Sequence, residues 1–247
     1  MKNQYFGDIN DYRKYGLIRS LTQNSTMNSA ICWMLTPDDQ SNDGSKRDYL
    51  TKPNQWEGYD TDLFKALSNF SRRPEWPNVG LIEESDLLQR ALFNSDFVPT
   101  QLSERKIYFD RVSEESRDCE FIFFNPNNGM QVPSLRPNDP KVAKYLFWDE
   151  VIRFHREGHS ILVYQHYPRE QRSRFVERMK HEFCERAAAS RTFAFTTSHV
   201  VFFLVPQDCH VEVFDSQISA VRQNWTEQMI DASFINSEWT IKETVDI

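Results

Sequence analysis

The chain lacks the features that would place it in several large classes of protein. Among its 247 residues no apolar run approaches the roughly 20 residues that a membrane-spanning helix needs. The opening, MKNQYFGDINDYRKYG, is too polar for a secretory signal. Four cysteines (Cys32, Cys119, Cys184, Cys209) stand far apart with no Cys-x-x-Cys pair. That spacing argues against a zinc centre or a disulfide framework and fits a reducing cytoplasm. A net positive charge is also missing: the formal net charge is −7. Nucleic-acid binding through bulk charge is therefore excluded, and any such binding must use a local patch. No internal repeat, low-complexity tract or dividing linker interrupts the chain, so one domain is expected over 1–247.

What is present is an alternation of apolar runs with helical periodicities. Residues 10–23 predict a helix, with Tyr12, Tyr15, Ile18 and Leu21 at helical spacing. SAICWMLT (29–36), KIYFDRV (106–112), CEFIFFN (119–125) and HSILVYQH (159–166) predict strands, and RTFAFTTSHVVFFLVP (191–206) predicts a two-stranded hairpin. Helices are expected at 60–70, 84–94, about 139–157 and over the basic segment 169–191, where Phe175, Met179 and Phe183 keep helical spacing. From about 208 the chain alternates weakly, as in VEVFDS, and ends in a polar helix or coil. Segment 37–105 reads as an irregular insertion or cap. The crossover lengths suit parallel pairing, so the expected fold is α/β: a Rossmann-like three-layer sandwich with a mostly parallel sheet and a C-terminal antiparallel hairpin.

Four polar turns fall at predicted element ends that such a fold gathers on one edge: GDINDYRKY, PDDQSNDGSK, NPNNG and QHYPR. They supply Asp8, Asp11, Lys14, Asp38, Asp39, Asp43, Asn125, Asn127, Asn128, His166 and Tyr167. Each also has a plainer reading. Asp8 and Asp11 suit a helix start, and Lys14 suits an i,i+3 pair with Asp11. The asparagines suit Asx turns, Gly129 a positive φ, and Asp38, Asp39 and Asp43 a solvated loop. Tyr5, Phe6, Trp33, Trp148 and Tyr167 are aromatics for stacking or for the core. Arg169, Arg172 and Arg174 head the basic helix and offer contacts to a nucleic-acid backbone, or form its solvated face.

The order of elements, with GDINDYRKY at the start and NPNN after FIFF, resembles bacterial adenine-N6 methyltransferases of large-subunit ribosomal RNA. That resemblance implies a Rossmann-like fold, S-adenosylmethionine and a flipped base. Two departures stand against the chemistry. SAICWMLT runs into PDDQSNDGSK, whose only glycine is Gly44, in place of a glycine-rich turn, and Asn127 and Asn128 replace the stacking Pro-Tyr. FFNPNNGM and VYQHYPRE are similar to two motifs of the uracil-DNA glycosylase superfamily. This second resemblance implies that Asn125 positions a water and His166 stabilises the departing base. The function expected first is a DNA N-glycosylase acting on a modified base, as in defence against phage. It would need no cofactor or metal, with Asn125, Asp11, Asp39 and His166 catalytic and the other polar residues binding substrate. The alternatives are adenine-N6 methyl transfer, a metal-dependent nuclease using Asp38, Asp39 and Asp43, and a non-catalytic nucleotide- or partner-binding module.

Overall fold

A computed structural model describes residues 1–231 except 24, 40, 42, 138 and 226. The expected polar end of the chain beyond 231 lies outside the described residues. Seven strands form one sheet: β1 (Ser29–Cys32), β2 (Ala91–Asn94), β3 (Phe121–Phe124), β6 (Ser160–His166), β7 (Phe193–Thr196), β8 (Val200–Val205) and β9 (Ile230–Asp231). Their spatial order is β2-β1-β3-β6-β8-β7-β9, and a separate two-stranded ribbon joins β4 (Gly129–Met130) to β5 (Tyr145–Leu146). The first four strands are parallel, and β8 returns antiparallel to β6 and pairs with β7 as the expected hairpin.

The central strands are buried on both faces because helices cover both. On one face lie α1 (Ile9–Thr22), α3 (Thr61–Phe70) and α8 (Val211–Trp225), packed on Ile31, Trp33, Phe121, Phe123 and Leu162. On the other lie α5 (Leu102–Glu115), α6 (Trp148–Arg156) and α7 (Arg172–Ala187), packed on Cys32, Ile122, Phe124, Val163 and Phe203. This is the expected three-layer α/β sandwich. Short helices α2 (Pro53–Trp56) and α4 (Gly80–Glu83) lie within the irregular stretch before β2. Among the described residues no helix is long and apolar enough to cross a membrane.

Four local expectations need correction. KIYFDRV belongs to α5: Arg105, Tyr108, Phe109 and Val112 are buried while Lys106 and Ile107 are exposed, a 3.6-residue rhythm that outweighs the strand-like composition. No helix forms at 84–94: α4 ends at Glu83, residues 84–90 are turns and bends closing at Arg90 (φ +53°), and Ala91–Asn94 pairs with β1 as the sheet's edge strand. The span 139–157 divides into a 3-10 turn led by Pro140, strand β5 and helix α6. The break is fixed by Arg105, which binds Glu150 and the carbonyls of Val142 and Tyr145 at 2.6–3.0 Å. VEVFDS is helical because Phe214, Ile218, Val221 and Trp225 together face the core.

β1 connects outward to β2, whereas β3 connects the other way to β6. The carboxyl ends of β1 and β3 therefore form the crevice where connections diverge, the usual ligand position in open α/β sheets. α1 aims its N-terminus at this edge. It is an unusual helix because nearly every residue is buried, Asp11, Arg13 and Lys14 included. Closeness to α8 demands Gly16, since a Cβ there would fall 2.0 Å from the Trp225 ring. Alanine is the better helix former by about 1 kcal/mol, but overpacking costs roughly 1–3 kcal/mol. Gly16→Ala is therefore expected to lower the urea midpoint; an unchanged or higher midpoint would contradict the packing.

Candidate functional site

The sharp turn before α1 sets the site. Asp8 caps the helix, its Oδ1 accepting from the Asn10 and Asp11 backbone N–H groups at 2.8 and 2.9 Å. Gly7 has φ +77°, and a Cβ on it would fall 1.9 Å from the Trp76 ring. Only glycine serves there, and its N–H reaches Asp11 Oδ2 at 3.0 Å. Asp11 also accepts from Tyr15 OH at 3.1 Å and from Lys14 Nζ at 2.5 Å. Its carboxylate is thus satisfied by three donors although only 2% of the residue is exposed. Burial, reinforced by the charge of Asp11, raises the Asp8 pKa from 3.8 to about 6.

The asparagine turn enters from β3. Asn125 is 2% exposed, its N–H donates to Cys32 O at 3.1 Å, and its carbonyl accepts from the Met1 nitrogen at 3.0 Å. Its side-chain Nδ2 is buried with no protein partner. Asn127 Nδ2 donates to Thr36 Oγ1 across the β1–β3 crevice, while its buried Oδ1 has no protein partner. Gln165 fastens the far side of the turn: its Oε1 accepts from Met130 N at 2.7 Å and its Nε2 donates to Asn128 O at 3.4 Å. Gly129, at φ +105°, makes room for that clamp, since a Cβ would fall 2.3 Å from Gln165 Oε1.

At the end of β6, His166 presents part of its ring to solvent while protein encloses the rest. That enclosure, with the Lys14 charge beneath it, pushes its pKa down to about 4, so the imidazole is neutral at physiological pH. Its Nε2 lies 3.3 Å from Tyr164 OH.

These groups line one well of about 30 Å³, bounded by Met1, Tyr5, Asp8, Asp11, Lys14, Asn125, Pro126, Asn127, Tyr164 and His166. Beside it lies a wider cleft of about 740 Å³ that shares Tyr5, Asp8, Asn127, Tyr164 and His166 with the well. The cleft adds Lys2, Asp39, Asp43, Lys46, Asn128, Lys144, Tyr167 and His199. Helix start, asparagine turn and histidine thus meet as the sequence suggested.

Other predicted residues are placed differently. Asp39 is at the outer cleft, ion-paired with Lys2, which holds its carboxyl well below the usual range. It does not line the well. Asp38 is exposed and accepts from Gln4 N at 3.1 Å. Among the described residues no group of three His, Cys, Asp or Glu is arranged to hold a metal ion. Arg172 lies over the Tyr167 ring at 5.2 Å, near the cleft, with Arg174 two residues on in α7 and Arg169 exposed in the loop before it. Phe6 and Trp33 are fully buried core, and Trp148 packs on Phe183 away from the well. Tyr5, read as an aromatic for stacking, does line the site, whereas sequence reasoning missed Met1, Tyr164 and Gln165.

Compared with protein-family models, curated proteins and solved structures, the chain matches none.

Folding raises the Asp8 pKa above its unfolded value, so the protonated carboxyl favours the folded state at low pH. That contribution is lost as pH rises from about 4 through about 6. The difference is worth up to roughly 3 kcal/mol at 1.36 kcal/mol per pH unit. Asparagine caps as well as aspartate. Asp8→Asn is therefore expected to gain stability relative to the wild type between pH 4 and 7, read by urea denaturation; parallel curves would contradict the assignment.

Proposed function

We propose that the chain hydrolyses the N-glycosidic bond of a nucleotide held in the cleft, acting on DNA with a modified base and leaving an abasic site. The observation that carries this reading is a buried donor, Asn125 Nδ2, and a buried acceptor, Asn127 Oδ1, both without protein partners and both in groups lining the well with Asp8. Buried polar groups rarely go unpaired, and a polar site of about 30 Å³ suits a water molecule rather than a base. A water there receives a hydrogen bond from Asn125 and donates to Asn127 and Asp8. The adjoining cleft of about 740 Å³ is of the size that holds a nucleotide.

Each group then has a task. Asp8, with a pKa of about 6, is ionised at neutral pH yet basic enough to take the water's proton. The carboxylates of Asp8 and Asp11 stabilise positive charge growing on the sugar. Asp11 acts mainly by holding Gly7, Lys14 and Tyr15 in place. His166, a neutral imidazole at the junction of well and cleft, donates to the departing base as negative charge develops on it. Tyr5 and Tyr167 offer ring surfaces to a base turned out of its stack. Lys46, Lys144 and Arg172 supply local positive charge that the whole chain lacks.

Methyl transfer is the less supported reading. The cofactor of a Rossmann-like methyltransferase needs space beside the end of β1. Met1, 3% exposed, fills that position with its nitrogen 3.0 Å from both Met34 O and Asn125 O.

The test is release of free base from DNA carrying modified bases. Asp8→Asn and Asn125→Ala are each expected to slow release by roughly 10²–10³-fold, with neither melting well below the wild type. Asp38→Ala should keep the wild-type rate. The rate should rise with pH through about 6, as Asp8 ionises. Wild-type rates in Asn125→Ala would refute the assignment.

A further inference from the structure

We propose a second activity for the same well: Lys14 cuts the strand at the abasic sugar. The proposal takes its substrate from the N-glycosylase reading, but its chemistry can be tested apart from it. Lys14 is 2% exposed, and an ammonium so deep is costly unless it is paired or used. One of its three hydrogens serves Asp11 Oδ1 at 2.5 Å and another faces Met1 Sδ at 3.8 Å. The pair lines the well, beside Asn125 and Asp8, rather than the apolar seam between helices.

Base removal leaves a sugar that opens to an aldehyde, with C1′ at the mouth of the well where water attacked. The lysine that lines the well is Lys14, with Asp11 in contact to take its proton. The uncharged amine adds to C1′, water leaves, and a protonated imine forms. Asp8 removes a proton from C2′; the C–H electrons form the C2′–C3′ double bond. The C3′–O bond breaks, and the 3′ phosphate departs with its electron pair. Water then adds to the imine and restores the lysine. No oxidant, reductant or metal enters the sequence.

The experiment uses the whole chain and DNA with abasic sites made beforehand by a separate enzyme. Sodium borohydride reduces any imine to a stable adduct, which is digested and mapped by mass spectrometry. The expected result is an adduct on Lys14 that disappears in Lys14→Arg, and strand cleavage when borohydride is omitted. Because mapping uses the wild-type protein, a variant that fails to fold leaves the test intact. Uncut DNA with no adduct, or an adduct mapped to another amine, overturns the proposal. Free-base release is read separately. Base release without an adduct removes the lyase alone, and an adduct on Lys14 without base release removes the glycosylase reading alone.

Discussion

The site depends on one buried interaction, the carboxylate of Asp11 against the ammonium of Lys14, each about 2% exposed. Taking both charges out of water costs several kcal/mol per ion, and their attraction offsets this only when the remaining lone pairs are satisfied. Gly7 N–H and Tyr15 OH satisfy them. That requirement fixes the positive φ of Gly7, the start of α1 one residue after Asp8, and the orientation of the helix under the strand ends. With Asp11 saturated, the neighbouring Asp8 has Oδ2 left for chemistry and a pKa raised towards neutrality.

A second constraint comes from the sheet. β3 delivers Asn125 beside β1 by parallel pairing, and Gln165 on β6 ties down the turn that follows. Two chain segments far apart in sequence thus hold the asparagines rigidly against the helix start. In that turn Asn125 Nδ2 and Asn127 Oδ1 stay buried without protein partners, while Asn127 Nδ2 is held by Thr36 Oγ1. A fixed donor and acceptor are useful to a reaction because little reorganisation is needed when charge develops.

Much of this was legible in the sequence. FIFF and SILVYQH read as strands of a mostly parallel sheet, and the polar turns after them were marked as a shared edge. Asn125, Asp8, Asp11, Lys14 and His166 do share a well. Among the loop aspartates Asp39 and Asp43 line the cleft but not the well, and Asp38 is exposed, because a cluster of carboxylates in a loop looks the same in sequence whether it faces a pocket or solvent. Asp39 turned out to answer Lys2. KIYFDRV misled because its composition favours strand while the burial rhythm of Tyr108, Phe109 and Val112 favours helix. The lining role of Met1 and the clamp by Gln165 are products of tertiary approach and leave no local trace.

The central claim is that this chain, with nothing added, breaks an N-glycosidic bond. The most direct measurement is incubation of purified protein with genomic DNA bearing ordinary and hypermodified bases, followed by mass spectrometry of free bases. The account predicts a free modified base and an equal number of abasic or cleaved sites. Intact DNA, with a labelled methyl group instead transferred to it from S-adenosylmethionine, would contradict it.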